Sequence, residues 1–449
     1  MKNKVPFIYK MLYFVTKLVV DFLYYRKTYY VNTKNIPSNG TPLIVVSNHQ
    51  NSLNDALAIL YSTDIRRLRF LARADVFKHP IASKVLYFFG LLPVFRQRDG
   101  MENVKNNLNV FAEIENLIIQ GNSIVLFPEA MHQDRHFLGR FYLSYTRLAF
   151  GAAERSGFEK EIFILPSANH YSDYYHIQED VMQVYGTPIS LKPYYELYKE
   201  QAREAQMQVN DIVRAQVDSL MLNIEDKENY EAIYFLLNTY GRKFARDQKV
   251  DPCKLPEKLK SDQKLVRLLK QVYAQNPAQL KELYAKALKY QKELNELKIT
   301  DDMVERRVSF TQLISPVFAF ILTFPLFVYG FLHHVIPYNI PKLLTRKIKD
   351  RLLHPSVFVG LNALILIPLL YIIYFILCLV ISKSLIIAFI YLVTLPLFAR
   401  FALYYRKHFF YFMKKIRLYK YGKKCYEKLD RARHLRFDIF QSVDMLWQD

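Results

Sequence analysis

Along the first 190 residues, short apolar runs alternate with stretches whose apolar positions recur at helical spacing. Runs of strand length occupy 43–46, 69–72, 92–95, 123–126, 162–166 and 182–185. Between them, 54–62, 80–89, 104–120 and 144–155 carry the 3.6-residue pattern of amphipathic helices. This alternation predicts an α/β domain: a largely parallel sheet with flanking helices. In such sheets ligands bind beyond the carboxyl ends of the strands. His49, Arg96 and Glu129 all fall there.

Past residue 193 the pattern becomes helical to about 308, with a break around Asp251-Pro252 and Leu255-Pro256. Asn276-Pro277 is a helix start, an N-cap amide followed by proline at the first helical position. Three apolar blocks follow, 313–332, 357–381 and 384–403. The second is long enough to span a bilayer unaided, whereas Pro316, Pro325 and Pro396 predict kinks or re-entrant geometry in the others. Upstream, 7–25 is apolar and aromatic but carries Lys10, Lys17 and Asp21, which suits a helix lying in the membrane interface. The division that results is 1–29 as an amphipathic membrane-associated helix and 30–192 as the α/β domain. A helical domain at 193–310, membrane segments at 311–404 and a basic cytoplasmic tail at 405–449 complete it.

Charge sharpens this picture. The 449-residue chain carries 62 Lys and Arg against 41 Asp and Glu, a formal +21, which implies an anionic partner. Nucleic acid gives no reason for long apolar segments, so acidic lipid is the expected partner and no nucleic acid is expected. Residues 342–351 hold five basic residues against one acidic, and 406–436 twelve against two. Both should be cytoplasmic, which makes the last two apolar blocks a hairpin. A single crossing by 313–332 would then separate the α/β domain from the tail, so that block is expected to be re-entrant or interfacial, with the α/β domain on the cytoplasmic face of an integral membrane protein. Cys253, Cys378 and Cys425 fit no metal or disulfide spacing.

Three constellations carry chemistry. After the run at 43–46, Asn48-His49-Gln50-Asn51-Ser52-Leu53-Asn54-Asp55 delivers an imidazole with an acid one turn later, the parts of a general base and its orienting carboxylate. Gly90-Leu91-Leu92-Pro93-Val94-Phe95-Arg96-Gln97-Arg98 ends a strand in guanidinium groups suited to a phosphate. Phe127-Pro128-Glu129 presents a carboxylate at the same edge, able to bind a hydroxyl or to hold an arginine. His132-x-Asp134 supplies two ligand types without a third, so no metal is expected.

In this order, with the apolar-proline strand at Ile164-Leu165-Pro166, these motifs resemble the glycerolipid acyltransferase family of lysophosphatidate and glycerol-3-phosphate acyltransferases, over roughly residues 30 to 190. The resemblance implies that His49 is the general base and Asp55 its partner, in a His-x5-Asp branch. Arg96 would grip the acceptor phosphate, with Arg98 competing for that role, and Glu129 beside Pro128 would help bind the glycerol moiety. Asn54 occupies the position where the commoner His-x4-Asp spacing has its acid, and Ala130 stands where the family has glycine. The family uses no cofactor and takes its acyl group from acyl-CoA or acyl carrier protein, passing it to glycerol 3-phosphate or lysophosphatidate. The His-x5-Asp spacing and the helical insert after 193 tilt the acceptor toward glycerol 3-phosphate. Competing readings are an acyltransferase for an amino-acid lipid, and a non-catalytic protein that binds anionic lipid.

Overall fold

The computed structural model describes residues 5–63, 65–94, 101–129, 133–424 and 426–448, without the side chains of 81–82, 101–109, 422–424 and 448. Arg96, Arg98, Ala130 and His132 lie outside the described residues. The chain forms two compact units. The first comprises residues 1–222 with 341–368, the second 223–340 with 369–449.

The first unit is built on an eight-stranded sheet. Its strands are β1 (Lys27–Val31), β2 (Leu43–Ser47), β3 (Arg69–Arg73), β4 (Leu91–Val94), β5 (Ser123–Leu126), β6 (Phe163–Tyr171), β7 (Asp180–Tyr185) and β8 (Ile189–Ser190). They run in the order β1-β7-β6-β2-β5-β3-β4, with β8 beside β6. Pairing is parallel except that β6 runs antiparallel to β7 and β8. The mostly parallel sheet with flanking helices is the architecture the alternation predicts. Helices α1 (Phe7–Leu18), α2 (Leu53–Ser62), α3 (Pro80–Phe88), α4 (Met101–Ile119) and α5 (Ser144–Arg155) connect or cover the strands.

Strand β2 lies between β5 and β6 at the centre of the sheet, buried along its whole length as a parallel strand covered on both faces should be. One core cluster gathers Leu43, Val45, Ile59, Leu68, Phe70, Val125, Leu165 and Tyr185 from strands β2, β3, β5, β6 and β7, from helix α2 and from the loop that leads into β3. Val46 pairs with Leu126 and with Pro166, so the segments that leave β2, β5 and β6 emerge side by side. Helix α1 buries Tyr9, Tyr13 and Thr16, and Tyr13 donates to the Thr63 carbonyl at the end of α2. Its opposite face leaves Phe7, Ile8, Met11, Phe14 and Leu18 exposed, an apolar stripe of the kind that enters a lipid interface.

Helices α6 (Tyr195–Glu200) and α7 (Ala202–Leu220) remain with this unit, because α7 packs on β6 and α5. The unit thus extends past residue 192 to Leu222, and it also takes in α14 (His354–Leu361), which packs on α2.

The second unit holds α8 (Tyr230–Thr239), α9 (Gly241–Asp247), α10 (Leu255–Gln275), α11 (Pro277–Leu297), α12 (Asp301–Val304), most of α13 (Thr311–Thr345) and α15 (Ile367–Ser382), and all of α16 (Leu385–Lys424) and α17 (Tyr426–Gln448). Asn276 caps α11 by accepting from the Gln279 amide, with Pro277 in the first turn. Leu280, Leu283, Tyr284, Ala287, Tyr290, Leu294 and Leu297 line the buried face of that helix, one residue every three or four positions.

Among the described residues, three helical stretches are long and apolar enough to cross a membrane: Thr311–Thr345, Arg351–Ser382 and Leu385–Tyr421. Helix α13 is continuous over 35 residues, about 52 Å at 1.5 Å per residue. A re-entrant loop needs a reversal inside the block. The expected re-entrant geometry of 313–332 is therefore not what forms. Pro316, in the second turn, and Pro325 are both accommodated without a break in the helix. Within the second unit α13 and α16 run antiparallel, with Phe320 against Tyr405, Tyr329 bonded to Thr394 and His333 bonded to Tyr391.

The flanks of these helices also meet. Asp301 accepts from Arg436, Asp302 accepts from Tyr411, and the Lys298 carbonyl accepts from Arg417. Within the second unit the segment before α13 is therefore bonded to the basic end of α16 and to α17.

Candidate active site

The loop after β2 and the first turn of α2 form one hydrogen-bonded knot around Asp55. The carboxylate is fully buried. Its Oδ2 lies 2.8 Å from Nδ1 of His49 and accepts the backbone N–H of Gln50 at 2.8 Å and of Asn51 at 2.7 Å. Its Oδ1 accepts the phenol of Tyr171 at 2.6 Å. An acidic side chain three positions into a helix is placed to reach back to the amides that precede it, and the helix N-terminus favours its charge. Asp55 thus combines helix capping with the orientation of His49. The carboxylate can only accept, so Nδ1 of His49 carries the proton and basicity resides at Nε2.

His49 is held on two further sides. Its ring stacks on Phe127, centroids 4.2 Å apart and planes 17° from parallel. Its backbone N–H donates to Oε1 of Glu129 at 2.9 Å. Glu129 in turn accepts the Gly139 amide at 2.8 Å and, at 3.4 Å, the Gln133 side chain through Oε2. The Phe-Pro-Glu motif therefore braces His49, Phe127 beneath the ring and Glu129 behind the backbone. Burial raises the Glu129 carboxyl above its ordinary value, and the two amide donors oppose that rise. Pro128 is buried between these residues, and its carbonyl accepts from the Tyr142 amide.

Asn54 does not serve His49. Its side chain is 1% exposed and donates to the Asn51 side chain at 3.1 Å. The carboxylate that reaches the imidazole is that of Asp55, and the Asn54 side chain is enclosed within the loop. His132 falls outside the described residues, and Asp134 accepts the phenol of Tyr175 at 2.6 Å.

Several residues escaped the sequence reading. Tyr171 holds Asp55 from the far end of β6, and burial, with the Asp55 charge behind it, keeps its phenol protonated well above the usual range. Asn48 and Asn169 clamp the ends of β2 and β6 by two bonds, of 3.0 and 2.7 Å. Gly139 lies close against Glu129, since a Cβ there would sit 2.6 Å from its Oε2 and the carboxylate would have to shift. We predict that Gly139→Ala displaces that carboxylate and, through it, the His49 backbone. Turnover should fall about tenfold or more, while the melting temperature of the solubilised protein moves little.

Residues 27–168 match the model of the Acyltransferase family, described by that name. The curated 1-acyl-sn-glycerol-3-phosphate acyltransferase LPAT1, chloroplastic, of Arabidopsis thaliana is 26% identical over 155 residues, which is 34% of this chain and 40% of that protein. The corresponding BAT2, chloroplastic, of Brassica napus is 26% identical over 150 residues, 33% of this chain and 40% of that protein. The match thus spans well under two thirds of the length of these relatives. Among solved structures, the 1-acyl-sn-glycerophosphate acyltransferase PlsC from Thermotoga maritima aligns over 47% of this chain and 78% of its own, at 18% identity and a TM-score of 0.35.

Proposed function

We propose, for a chain whose residues 27–168 form an Acyltransferase-family domain, a membrane-bound O-acyltransferase that moves a fatty acyl group from a thioester to the hydroxyl of a glycerol phosphate lipid. One observation carries the reading: the 2.8 Å contact between Nδ1 of His49 and the buried Asp55 carboxylate, at the carboxyl edge of a mostly parallel sheet. An imidazole oriented in this way is a general base.

The acceptor hydroxyl gives its proton to Nε2 of His49 as its oxygen attacks the thioester carbonyl. Asp55 stabilises the imidazolium that forms. Collapse of the tetrahedral intermediate breaks the carbon–sulfur bond, and the departing thiolate takes the proton from His49. Base and acid roles are thereby restored within one turnover, with no acyl-enzyme. Arg96 and Arg98 supply the guanidinium groups for the acceptor phosphate, which matches the charge of a glycerol phosphate headgroup. The donor is acyl-CoA or acyl carrier protein.

Similarity to two 1-acyl-sn-glycerol-3-phosphate acyltransferases favours lysophosphatidate as acceptor over glycerol 3-phosphate, against the tilt drawn from the His-x5-Asp spacing and the helical insert. The apolar α1 face and the three apolar helices support a lipid acceptor delivered from the bilayer. The test is incubation of membranes containing the full chain with labelled acyl-CoA and each acceptor in turn. Labelled phosphatidate formed from lysophosphatidate is the expected result. Label appearing only with glycerol 3-phosphate would reassign the acceptor, and label with neither would send the search to amino-acid lipids.

A further inference from the structure

Helix α2 begins without help from its own N-cap: Ser52 makes no capping side-chain bond and sits at φ 43° and ψ −115°, in the left-handed half of backbone space. That conformation is costly for a residue with a Cβ and persists only where the surroundings impose it. Ser52 is one of the five residues between His49 and Asp55, so any relaxation there moves base against acid.

The missing cap comes from far along the chain. Ser356, at the head of the second apolar block, accepts the Leu53 N–H on Oγ at 3.1 Å and donates its hydroxyl to the Asn51 carbonyl at 2.9 Å. One buried hydroxyl thus ties both flanks of Ser52, occupying a backbone donor that the helix start would leave unpaired. Nearby contacts fix the segment that carries it. The Tyr174 phenol donates to the Leu352 carbonyl, Arg351 lies over the Tyr175 ring, and Phe358 packs on Tyr24. Tyr174 itself accepts the Asn51 side chain on its carbonyl.

We infer that Ser356 is a positioning residue for the acyl-transfer site, fixing the His49–Asp55 loop to the head of an apolar membrane segment. The inference rests on the reading of His49 and Asp55 as base and partner. It also places the catalytic loop at the depth where a membrane helix begins, the level at which a lipid acceptor presents its hydroxyl and phosphate.

The test uses the full chain in membranes or detergent, with Ser356→Ala, Ser356→Thr and the parent protein. Ser356→Ala should lower kcat about 10- to 100-fold, the order expected for a displaced catalytic group, while leaving KM for the acceptor within about twofold, since no substrate contact is removed. Ser356→Thr keeps the hydroxyl and should recover most of kcat. Hydrogen exchange in a peptide covering 49–54 should quicken in Ser356→Ala and return to the parent rate in Ser356→Thr. Parent-like kcat in Ser356→Ala, unchanged exchange in that peptide, or loss of the alanine variant from the membrane would each overturn a positioning role. Failure of the parent protein to transfer acyl groups to any acceptor would instead remove the proposed function, and the exchange result would still decide what Ser356 holds.

Discussion

Replacing His49 with alanine is expected to reduce acyl transfer by about 10² to 10⁴-fold, the usual contribution of general acid–base assistance. The protein should still accumulate in membranes, because His49 is a partly exposed residue at a loop and the core beneath it is formed by Leu43, Val45, Val125 and Leu165. What survives is the positioning of the acceptor, so KM should change far less than kcat. The measurement is initial rate against acceptor concentration in membranes matched for protein content. Activity above a few per cent of the parent would remove the base assignment.

The second large effect is expected at Asp55, and it should differ from the first by reaching stability as well as rate. Asp55→Ala leaves the Gln50 and Asn51 amides and the Tyr171 phenol without their acceptor in a fully buried position. At about 1–3 kcal/mol for each buried group left unpaired, the loss approaches the whole stability of an ordinary domain, about 5–15 kcal/mol. Asp55→Asn keeps the shape but turns an amide NH₂ toward donors and removes the charge that stabilises imidazolium. Both variants should lose transfer as fully as His49→Ala, and both should melt earlier, the alanine variant by more. Asn54→Ala removes side-chain bonds to Asn51 and Tyr24, not to His49, and should cost about 1–3 kcal/mol with turnover close to the parent. Rate and thermal unfolding measured on the three variants separate the roles. Equal loss of turnover in Asn54→Ala and Asp55→Asn would contradict the geometry.

Much of this site was legible before the structure because the chemistry sits on strongly patterned elements. Strands β2 and β5 are uninterrupted apolar runs, so the positions of His49 and Glu129 beyond their ends followed from counting along the chain. Strand β1 was not legible. Lys27–Val31 is a mixed polar and aromatic edge strand whose place depends on pairing with β7 and on the Arg26–Asp180 ion pair, 154 residues apart in sequence. Strand β6 was read as ending at Pro166, where a proline ordinarily stops a strand. It continues through Ser167, Ala168, Asn169 and His170 to Tyr171, with Ser167 and Asn169 buried where they bond to Val46 and Asn48. Tyr171 was lost with that truncation.

The partner of His49 was ambiguous for a related reason. Spacing cannot distinguish Asn54 from Asp55 while the loop conformation is unknown. The left-handed Ser52 sets the turn of α2 so that Asp55 faces the imidazole and Asn54 faces Asn51. Ser356 carried no signal at all. A serine after His354-Pro355 at the start of an apolar block has no visible relation to a loop 305 residues earlier. Long-range hydrogen bonds of this kind belong to tertiary packing and leave no periodicity behind.

The central claim is that an acyl group passes directly from a thioester to a lipid hydroxyl activated by His49. Thiol release from acyl-CoA, followed with and without lysophosphatidate on the full chain in membranes, tests it most directly. Direct transfer gives thiol release only when the acceptor is present, matched mole for mole by phosphatidate, and leaves no label on the protein. Equal thiol release without acceptor, or a covalently acylated protein that forms before the acceptor is added, would contradict it.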